Sequence, residues 1–104
     1  MFKQITVQEL NSQLERNKID LLDVREDFEL NICSIKGAIH IPMQEIGTRI
    51  NELSDKLTYA VICHSGVRSH YTCEFLYKNG FIVYNVIGGI DEWASSIDDD
   101  MKRY

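Results

Sequence analysis

The sequence predicts an α/β fold in which a central, parallel, five-stranded sheet is flanked by helices on both faces. Short apolar runs alternate along the chain with segments of helical spacing, which is the pattern of strand–helix–strand units. The apolar runs are nearly continuous, as is typical of strands buried on both faces of a parallel sheet. A length of 104 residues suits a single compact domain. We therefore expect one domain over residues 1–104, ending in an acidic tail over about 98–104.

The first helix has the clearest start signal in the chain. Thr6 can cap it, and Glu9 lies three residues further on, which is the spacing of a capping box. Apolar residues then recur at i, i+3 and i+7 from Val7. This spacing predicts an amphipathic helix that ends at about Arg16.

The other elements follow from apolar runs, helical spacing and turn residues. Pro42 cannot donate a hydrogen bond to a sheet, so the third strand stops there. Gly80 is suited to the position just after a helix end. The predicted strands cover residues 3–5, 19–24, 37–42 (beginning as a loop), 59–62 and 82–86. The later helices are predicted over 26–32 (a polar turn or short helix), 43–53, 69–79 and 90–97.

Charge and hydropathy exclude several classes of function. The formal net charge of −5 argues against a nucleic-acid or anionic-membrane partner. No apolar run approaches the roughly 20 residues of a membrane span. The first residues lack the apolar core of a signal peptide, so a cytoplasmic location is expected. The run 98–100, Asp-Asp-Asp, is interpreted as a solvated end of the chain.

The chain has three cysteines: Cys33, Cys63 and Cys73. An odd count with these spacings favours neither a disulfide framework nor a metal site, and nothing in the sequence indicates a cofactor. Reduced thiols in a reducing compartment fit better. Cys73 shares a helical stripe with Leu76 and is interpreted as a core residue, with a resolving thiol for Cys63 as the alternative. Cys33 lies in a polar segment and is interpreted as inert.

Residues 63–69, Cys-His-Ser-Gly-Val-Arg-Ser, are the strongest candidate for a reactive site. Cys63 directly follows a predicted buried strand, and a predicted helix begins a few residues later. Backbone N–H groups of such a loop and helix start can point at one anion, which favours a thiolate. Cys63 is therefore predicted to be a nucleophile. The alternative is a buried structural cysteine, since free cysteine is among the most buried residue types.

The residues around Cys63 are predicted to form its cradle. Gly66 can turn the loop without steric cost. The candidates for binding the substrate, through N–H groups and in part hydroxyls, are His64, Ser65, Val67 and Ser69; their side chains could equally be loop filler. A Cys–His dyad is disfavoured, because adjacent side chains in an extended chain point apart.

Arg68 is predicted to be the cation that orients an anionic donor, although a solvated loop arginine is the alternative reading. Its spacing also separates two kinds of chemistry. Cysteine-dependent phosphatases use C-x5-R, a loop that wraps a phosphate and ends in a bidentate arginine. Here four residues separate Cys63 from Arg68, and Ser69 occupies the later position. The shorter loop favours a site that holds one sulfur atom. It disfavours the larger anion site of a phosphatase or an arsenate reductase.

Several other polar or aromatic residues have both functional and structural interpretations. Asp23 and Arg25 could be a catalytic carboxylate and a substrate-binding arginine. The favoured interpretation is structural, with Arg25 paired to Glu29 or to loop carbonyls near the active edge. His40, in an apolar strand, is expected to be a satisfied core histidine, and Trp93 is expected to pack in the core.

Four segments together resemble the single-domain rhodanese (thiosulfate sulfurtransferase) family. They occur in the family's order over about 75 residues of the chain. The segments are 22–26, Leu-Asp-Val-Arg-Glu; 35–42, Ile-Lys-Gly-Ala-Ile-His-Ile-Pro; 61–69, Val-Ile-Cys-His-Ser-Gly-Val-Arg-Ser; and 88–93, Gly-Gly-Ile-Asp-Glu-Trp.

The resemblance implies a rhodanese-like sheet and a thiosulfate:cyanide type of activity. It implies that Cys63 takes a sulfane sulfur from a donor such as thiosulfate, becomes a persulfide, and passes the sulfur to cyanide, a cellular thiol or a protein acceptor. A second hypothesis is a sulfur-relay or partner-binding module that does not turn over small donors. Turnover with free thiosulfate, or only with a protein donor, would separate the two hypotheses.

Overall fold

In a computed structural model, which describes residues 1–104, five parallel strands form one sheet. The strand order is β1-β5-β4-β2-β3, and every neighbouring pair is parallel. The predicted fold class is therefore confirmed. The strands are β1 (Lys3–Ile5), β2 (Asp20–Asp23), β3 (Ile39–His40), β4 (Thr58–Ile62) and β5 (Ile82–Val86).

Four α-helices connect the strands, and a fifth follows β5. They are α1 (Val7–Glu15), α2 (Asp27–Ile32), α3 (Ile46–Arg49), α4 (Val67–Lys78) and α5 (Gly89–Ser96). The capping box of α1 is present, with the N–H of Glu9 donating to Oγ1 of Thr6 and the N–H of Thr6 donating to Oε1 of Glu9. The positive φ of 89° at Gly80 agrees with its predicted place after α4.

The prediction of a single helix over residues 43–53 is wrong. The segment instead consists of α3 between two 3-10 turns, Met43–Glu45 and Ile50–Glu52. Glycine is a poor helix former, and Gly47 is one of only four residues in the α-helical part of this segment. The hydroxyl of Thr48 donates to the carbonyl of Glu45 at 3.1 Å, a local side-chain bond of the kind that competes with regular helix.

Apolar side chains form one core on each face of the sheet. Successive residues of β4 alternate between the two cores, as the two-residue period of a strand requires. Cys73 and Leu76 of α4 cover one face. Trp93 of α5 lies in the other core, as predicted. The first core contains Leu22, Val24, Ile41, Ile46, Leu53, Tyr59, Val61, Cys63, Cys73, Leu76, Phe81 and Val83; the second contains Ile5, Val7, Leu10, Ile19, Leu21, Ala60, Ile62, Val86, Ile90 and Trp93.

The end of the chain folds back onto the molecule. Residues 98–100 are exposed, as expected for a solvated acidic run. Met101, however, packs against the second core, and Arg103 forms an ion pair with Asp91 at 2.8 Å. The segment 101–104 therefore packs against the rest of the molecule, whereas only the acidic run is solvated. None of the helices is long and apolar enough to cross a membrane.

Candidate active site

Cys63 lies immediately after β4, between β2 and β5 of the sheet. The carboxyl ends of parallel strands meet at one edge, where ligands of open α/β sheets bind. The residue is 1% exposed. Its Sγ accepts a hydrogen bond from the N–H of Gly66 at 3.1 Å. Gly66 has a φ of 110°, which a residue with a side chain rarely adopts, and this turn brings its N–H to the sulfur.

The start of α5 controls which backbone groups of the loop are free. The carbonyl of Cys63 accepts from the N–H of Ile90 at 2.9 Å, and the carbonyl of His64 accepts from the N–H of Asp91 at 3.1 Å. Gly89 allows this close approach, because a Cβ there would lie 2.5 Å from the Cys63 carbonyl oxygen. Both carbonyl oxygens therefore accept hydrogen bonds from α5, away from the sulfur.

The loop therefore offers donors to an anion. The first-turn N–H groups of an α-helix have no intrahelical acceptor, and those of α4 follow Gly66 directly. Among the predicted cradle residues, the side chain of Ser69 reaches the cysteine, with its Oγ 3.3 Å from Sγ. The side chains of Ser65 and Val67 are exposed and make no hydrogen bond to the sulfur, so their contribution would come from the backbone.

His64 does not form a catalytic dyad with Cys63. Its ring stacks on Tyr104, with centroids 4.1 Å apart and an interplanar angle of 13°. No hydrogen bond joins the His64 ring to Cys63. The geometry agrees with the expectation that neighbouring side chains point apart.

Asn85 is a member of the site that the sequence analysis missed. It lies on β5 and is 4% exposed. Its Oδ1 accepts the hydroxyl hydrogen of Ser69 at 2.5 Å, and its Nδ2 donates to the carbonyl of Gly66 at 3.2 Å. The available signal was an amide within an otherwise apolar strand, since a buried polar group needs partners.

Arg68 is bound by Glu29, which the sequence analysis did not foresee. Nη1 and Nη2 donate to the two carboxylate oxygens at 2.6 and 2.8 Å. The hydrogen bonds from Arg68 lower the pKa of Glu29 to about 2, against a smaller opposing effect of burial. The same bonds raise the pKa of Arg68 above its ordinary value. The Arg68 side chain is 32% exposed, and its hydrogen bonds to Glu29 use Nη1 and Nη2 but not Nε.

Tyr104 completes this network from the end of the chain. Its hydroxyl donates to Oε2 of Glu29 at 2.6 Å and accepts from Nη1 of Arg25 at 3.0 Å. Burial, together with the hydrogen bond to Glu29, raises the pKa of Tyr104 to about 12. The phenol therefore stays neutral and acts as a donor to the Glu29 carboxylate.

Arg25 has the structural role that was favoured. It is fully buried, and its Nη2 donates to the buried Asp23 carboxylate at 2.8 Å. Other N–H groups donate to the carbonyls of Glu29 and Cys33 at 3.4 and 2.9 Å. The carbonyl partners were predicted, whereas the carboxylate partner is Asp23 and not Glu29. Nε2 of the half-buried His40 donates to the Arg25 carbonyl at 2.6 Å, so this histidine is satisfied.

The other two cysteines differ in their surroundings. Cys73 is fully buried in the first core, and burial raises the pKa of its thiol to about 12. This suits the predicted core role and not a resolving thiol. Cys33 is half-buried at the end of α2, with its Sγ 3.8 Å from Nη1 of Arg25.

Cys63 thus lies at the carboxyl end of a central parallel strand with the Gly66 N–H at its sulfur, the placement that the sequence motifs predict. Residues 6–96 match the family model of the rhodanese-like domain. The chain belongs to this rhodanese-like family, as its sequence motifs predicted.

Known relatives agree with this assignment. The chain is 37% identical to YtwF of Bacillus subtilis (strain 168) over 92 residues, covering 88% of this chain and 89% of YtwF. It is 31% identical to a sulfurtransferase of Allochromatium vinosum, covering 90% of each chain. The crystal structure of a rhodanese-like domain protein from Staphylococcus aureus superposes with a TM-score of 0.86 at 34% identity, covering 99% of each chain. The chain spans only 54% of another relative, YrkF of Bacillus subtilis. These relatives support a role in sulfur transfer.

Proposed function

We propose that the protein is a sulfurtransferase that moves a sulfane sulfur from thiosulfate, or a similar donor, to a thiophilic acceptor through a persulfide on Cys63. The observation that carries this proposal is the orientation of the loop. Sγ of Cys63 receives the Gly66 N–H at 3.1 Å, while the nearby carbonyls are bound by α5. Such a loop favours a thiolate and a persulfide, because both are anions.

The reaction is a double displacement. The Cys63 thiolate attacks the outer sulfur of thiosulfate, and the S–S bond of the donor breaks, so that sulfite leaves with the electron pair. The negative charge of the persulfide then lies on its outer sulfur. Cyanide or a thiolate attacks that sulfur, and Cys63 leaves as a thiolate, ready for another cycle. Three free thiols favour a reducing compartment such as the cytoplasm for this chemistry.

Each loop residue has a proposed role. Gly66 and the first turn of α4, which includes Val67, supply N–H groups to the transferred sulfur. Arg68 orients the anionic donor through its Nε and exposed edge, while Glu29 holds the rest of the guanidinium. The site walls are formed by His64, Ser65 and Ser69.

A sulfur-relay module is the second candidate, and the Arg68–Glu29 pair favours it. The bidentate carboxylate neutralises the loop's cation, so a free dianionic donor is attracted less than it would be by an unpaired arginine. A carrier protein depends less on this attraction, because it can also bind through its own surface. YrkF, one of the relatives, is named as a sulfur carrier protein. Sulfur uptake from a protein persulfide but not from thiosulfate would identify the relay.

The decisive experiment is intact-mass analysis after incubation with thiosulfate. Wild type should gain the mass of one sulfur atom and lose it again on addition of cyanide. Cys63→Ser should gain none, whereas the matched variant Cys33→Ser should behave as wild type. Uptake by Cys63→Ser equal to that of wild type would disprove the assignment of Cys63.

A further inference from the structure

Asn85 places both polar ends of a buried amide against the loop that carries Cys63. The side chain is 4% exposed, and burying an amide is costly unless it is hydrogen-bonded. Oδ1 accepts from Ser69 and Nδ2 donates to the carbonyl of Gly66. The reverse orientation would turn Oδ1 towards that carbonyl, bringing two acceptors together, so the network fixes the orientation.

The orientation of the amide decides where the Ser69 hydrogen lies. A hydroxyl has one hydrogen and an amide oxygen has none, so the hydrogen in the 2.5 Å contact belongs to Ser69. The Ser69 oxygen also lies 3.3 Å from Sγ of Cys63. With its hydrogen held by Asn85, this oxygen can face the sulfur only as an acceptor.

The three chemical states of Cys63 respond differently to this acceptor. A thiol can donate its hydrogen to Ser69. A thiolate would face a lone pair, or would draw the Ser69 hydrogen away and leave the buried Oδ1 of Asn85 without a donor, which is costly. In a persulfide, Sγ has two covalent bonds and the negative charge is on the outer sulfur, so the conflict is relieved.

We infer that Asn85 is a positioning residue that, by holding the hydroxyl hydrogen of Ser69, shifts Cys63 from the free thiolate towards the persulfide. The inference rests on the proposed sulfur transfer. In the exchange, the Cys63 thiolate attacks the outer sulfur of a persulfide R–S–S⁻. The S–S bond of the donor breaks as the new one forms, and R–S⁻ leaves. One anion is exchanged for another, and no oxidant is required.

The test first measures how the rate at which iodoacetamide alkylates the sulfur-free protein depends on pH. The loaded fraction is then measured by intact mass, after equilibration with glutathione persulfide and glutathione at a fixed ratio, at a pH on the alkaline plateau of that rate. Asn85→Leu releases the Ser69 hydrogen, which can then stabilise the Cys63 thiolate. On the plateau it should lower the loading equilibrium constant about five-fold, the size expected for one neutral hydrogen bond, and the midpoint of the alkylation profile should move to lower pH by the same factor in proton concentration.

Two further variants separate holding the hydrogen from merely supporting the loop. Ser69→Ala removes the lone pair that the thiolate faces and keeps the Asn85 hydrogen bond to the Gly66 carbonyl, so its loading should fall below that of wild type. In a Ser69→Ala background, Asn85→Leu should have no further effect on loading or alkylation, because Asn85 acts through the hydroxyl.

The inference is overturned if Asn85→Leu leaves loading and alkylation unchanged, or if its effect persists without the Ser69 hydroxyl. It is also overturned if Ser69→Ala loads as much as wild type, a result that stays decisive even where Asn85→Leu fails to fold. Failure of wild type to take up sulfur from any donor would reject the proposed function instead. The alkylation rates need no sulfur transfer and would still decide whether Asn85 holds the Ser69 hydrogen.

Discussion

Arg68 binds the Glu29 carboxylate, and it is also proposed to bind the anionic sulfur donor. Removing it by Arg68→Ala leaves Glu29, which is 3% exposed, with a charge that Tyr104 and the N–H of Glu26 only partly satisfy. We expect the free energy of unfolding to fall by about 2 kcal/mol, less than for a fully buried pair because Arg68 is partly exposed. Urea denaturation measures this loss, and donor-concentration kinetics should show a raised KM for thiosulfate.

Arg49→Ala is the matched control for Arg68→Ala. Arg49 also binds carboxylates, those of Glu45 and Glu52, but on the surface, where such pairs contribute little to stability. The free energy of unfolding should therefore change much less in Arg49→Ala. Equal losses in the two variants would contradict a stabilising Arg68–Glu29 pair, and an unchanged KM in Arg68→Ala would remove its proposed role towards the donor.

The sequence shows the proposed nucleophile more readily than its partners. Cys63 and its loop are contiguous, so one motif contains the cysteine, the turn and the helix start. Glu29 is 39 residues from Arg68, and Asn85 is 16 residues from Ser69, so only the folded sheet brings them together. Spacing rules reach about one helical turn and cannot detect such pairs.

At the level of elements, the start of α5 positions the cysteine loop. Gly89 has a φ of 61°, and a Cβ at this position would collide with the backbone carbonyls of Cys63 and His64. Gly89→Ala should therefore lower the free energy of unfolding by about 3 kcal/mol, combining left-handed backbone strain with overpacking. It should also lower sulfur uptake from thiosulfate, because the loop carbonyls must move. Thermal unfolding and intact mass measure the two effects.

Gly80→Ala separates the steric collision from the backbone strain. Gly80 has a φ of 89°, and a Cβ there would have no heavy atom within 4 Å. Its cost should be about 1 kcal/mol, from the backbone alone, with sulfur uptake unchanged. If Gly89→Ala cost no more than Gly80→Ala and loaded normally, α5 would not be holding the loop.

The elements themselves were predictable where burial determines them. Strands such as β4 and β5 are mostly apolar runs, and the capping box of α1 is local in sequence. The segment 43–53 was not predictable in the same way, because its pattern rests on few buried contacts. Only Ile46 and Leu53 are buried there, so the turns between them can tighten into 3-10 geometry.

At the scale of the whole molecule, Glu29 joins distant parts of the chain. From α2, its carboxylate receives hydrogen bonds from Arg68 of α4 and from Tyr104 near the end of the chain. The ordinary pKa of this carboxyl is 4.5, and Arg68 holds it at about 2 in the folded protein. As the pH falls, the unfolded chain takes up the proton first. The stability contributed by Glu29 is therefore complete above about pH 4.5 and is lost between there and about pH 2.

Glu29→Gln makes this loss measurable, since glutamine does not titrate in this range. From pH 5 to pH 2, wild type should lose about 2 kcal/mol more of its free energy of unfolding than Glu29→Gln does, after allowance for the screening of the partly exposed Arg68. Glu52→Gln is the control, because the Glu52 carboxylate pairs with Arg49 at the surface and its removal should leave the pH slope close to wild type. Other carboxylates titrate equally in all three proteins, so they cancel from the comparison. Identical slopes for wild type and Glu29→Gln would mean that Arg68, Glu29 and Tyr104 do not form a connection on which global stability depends.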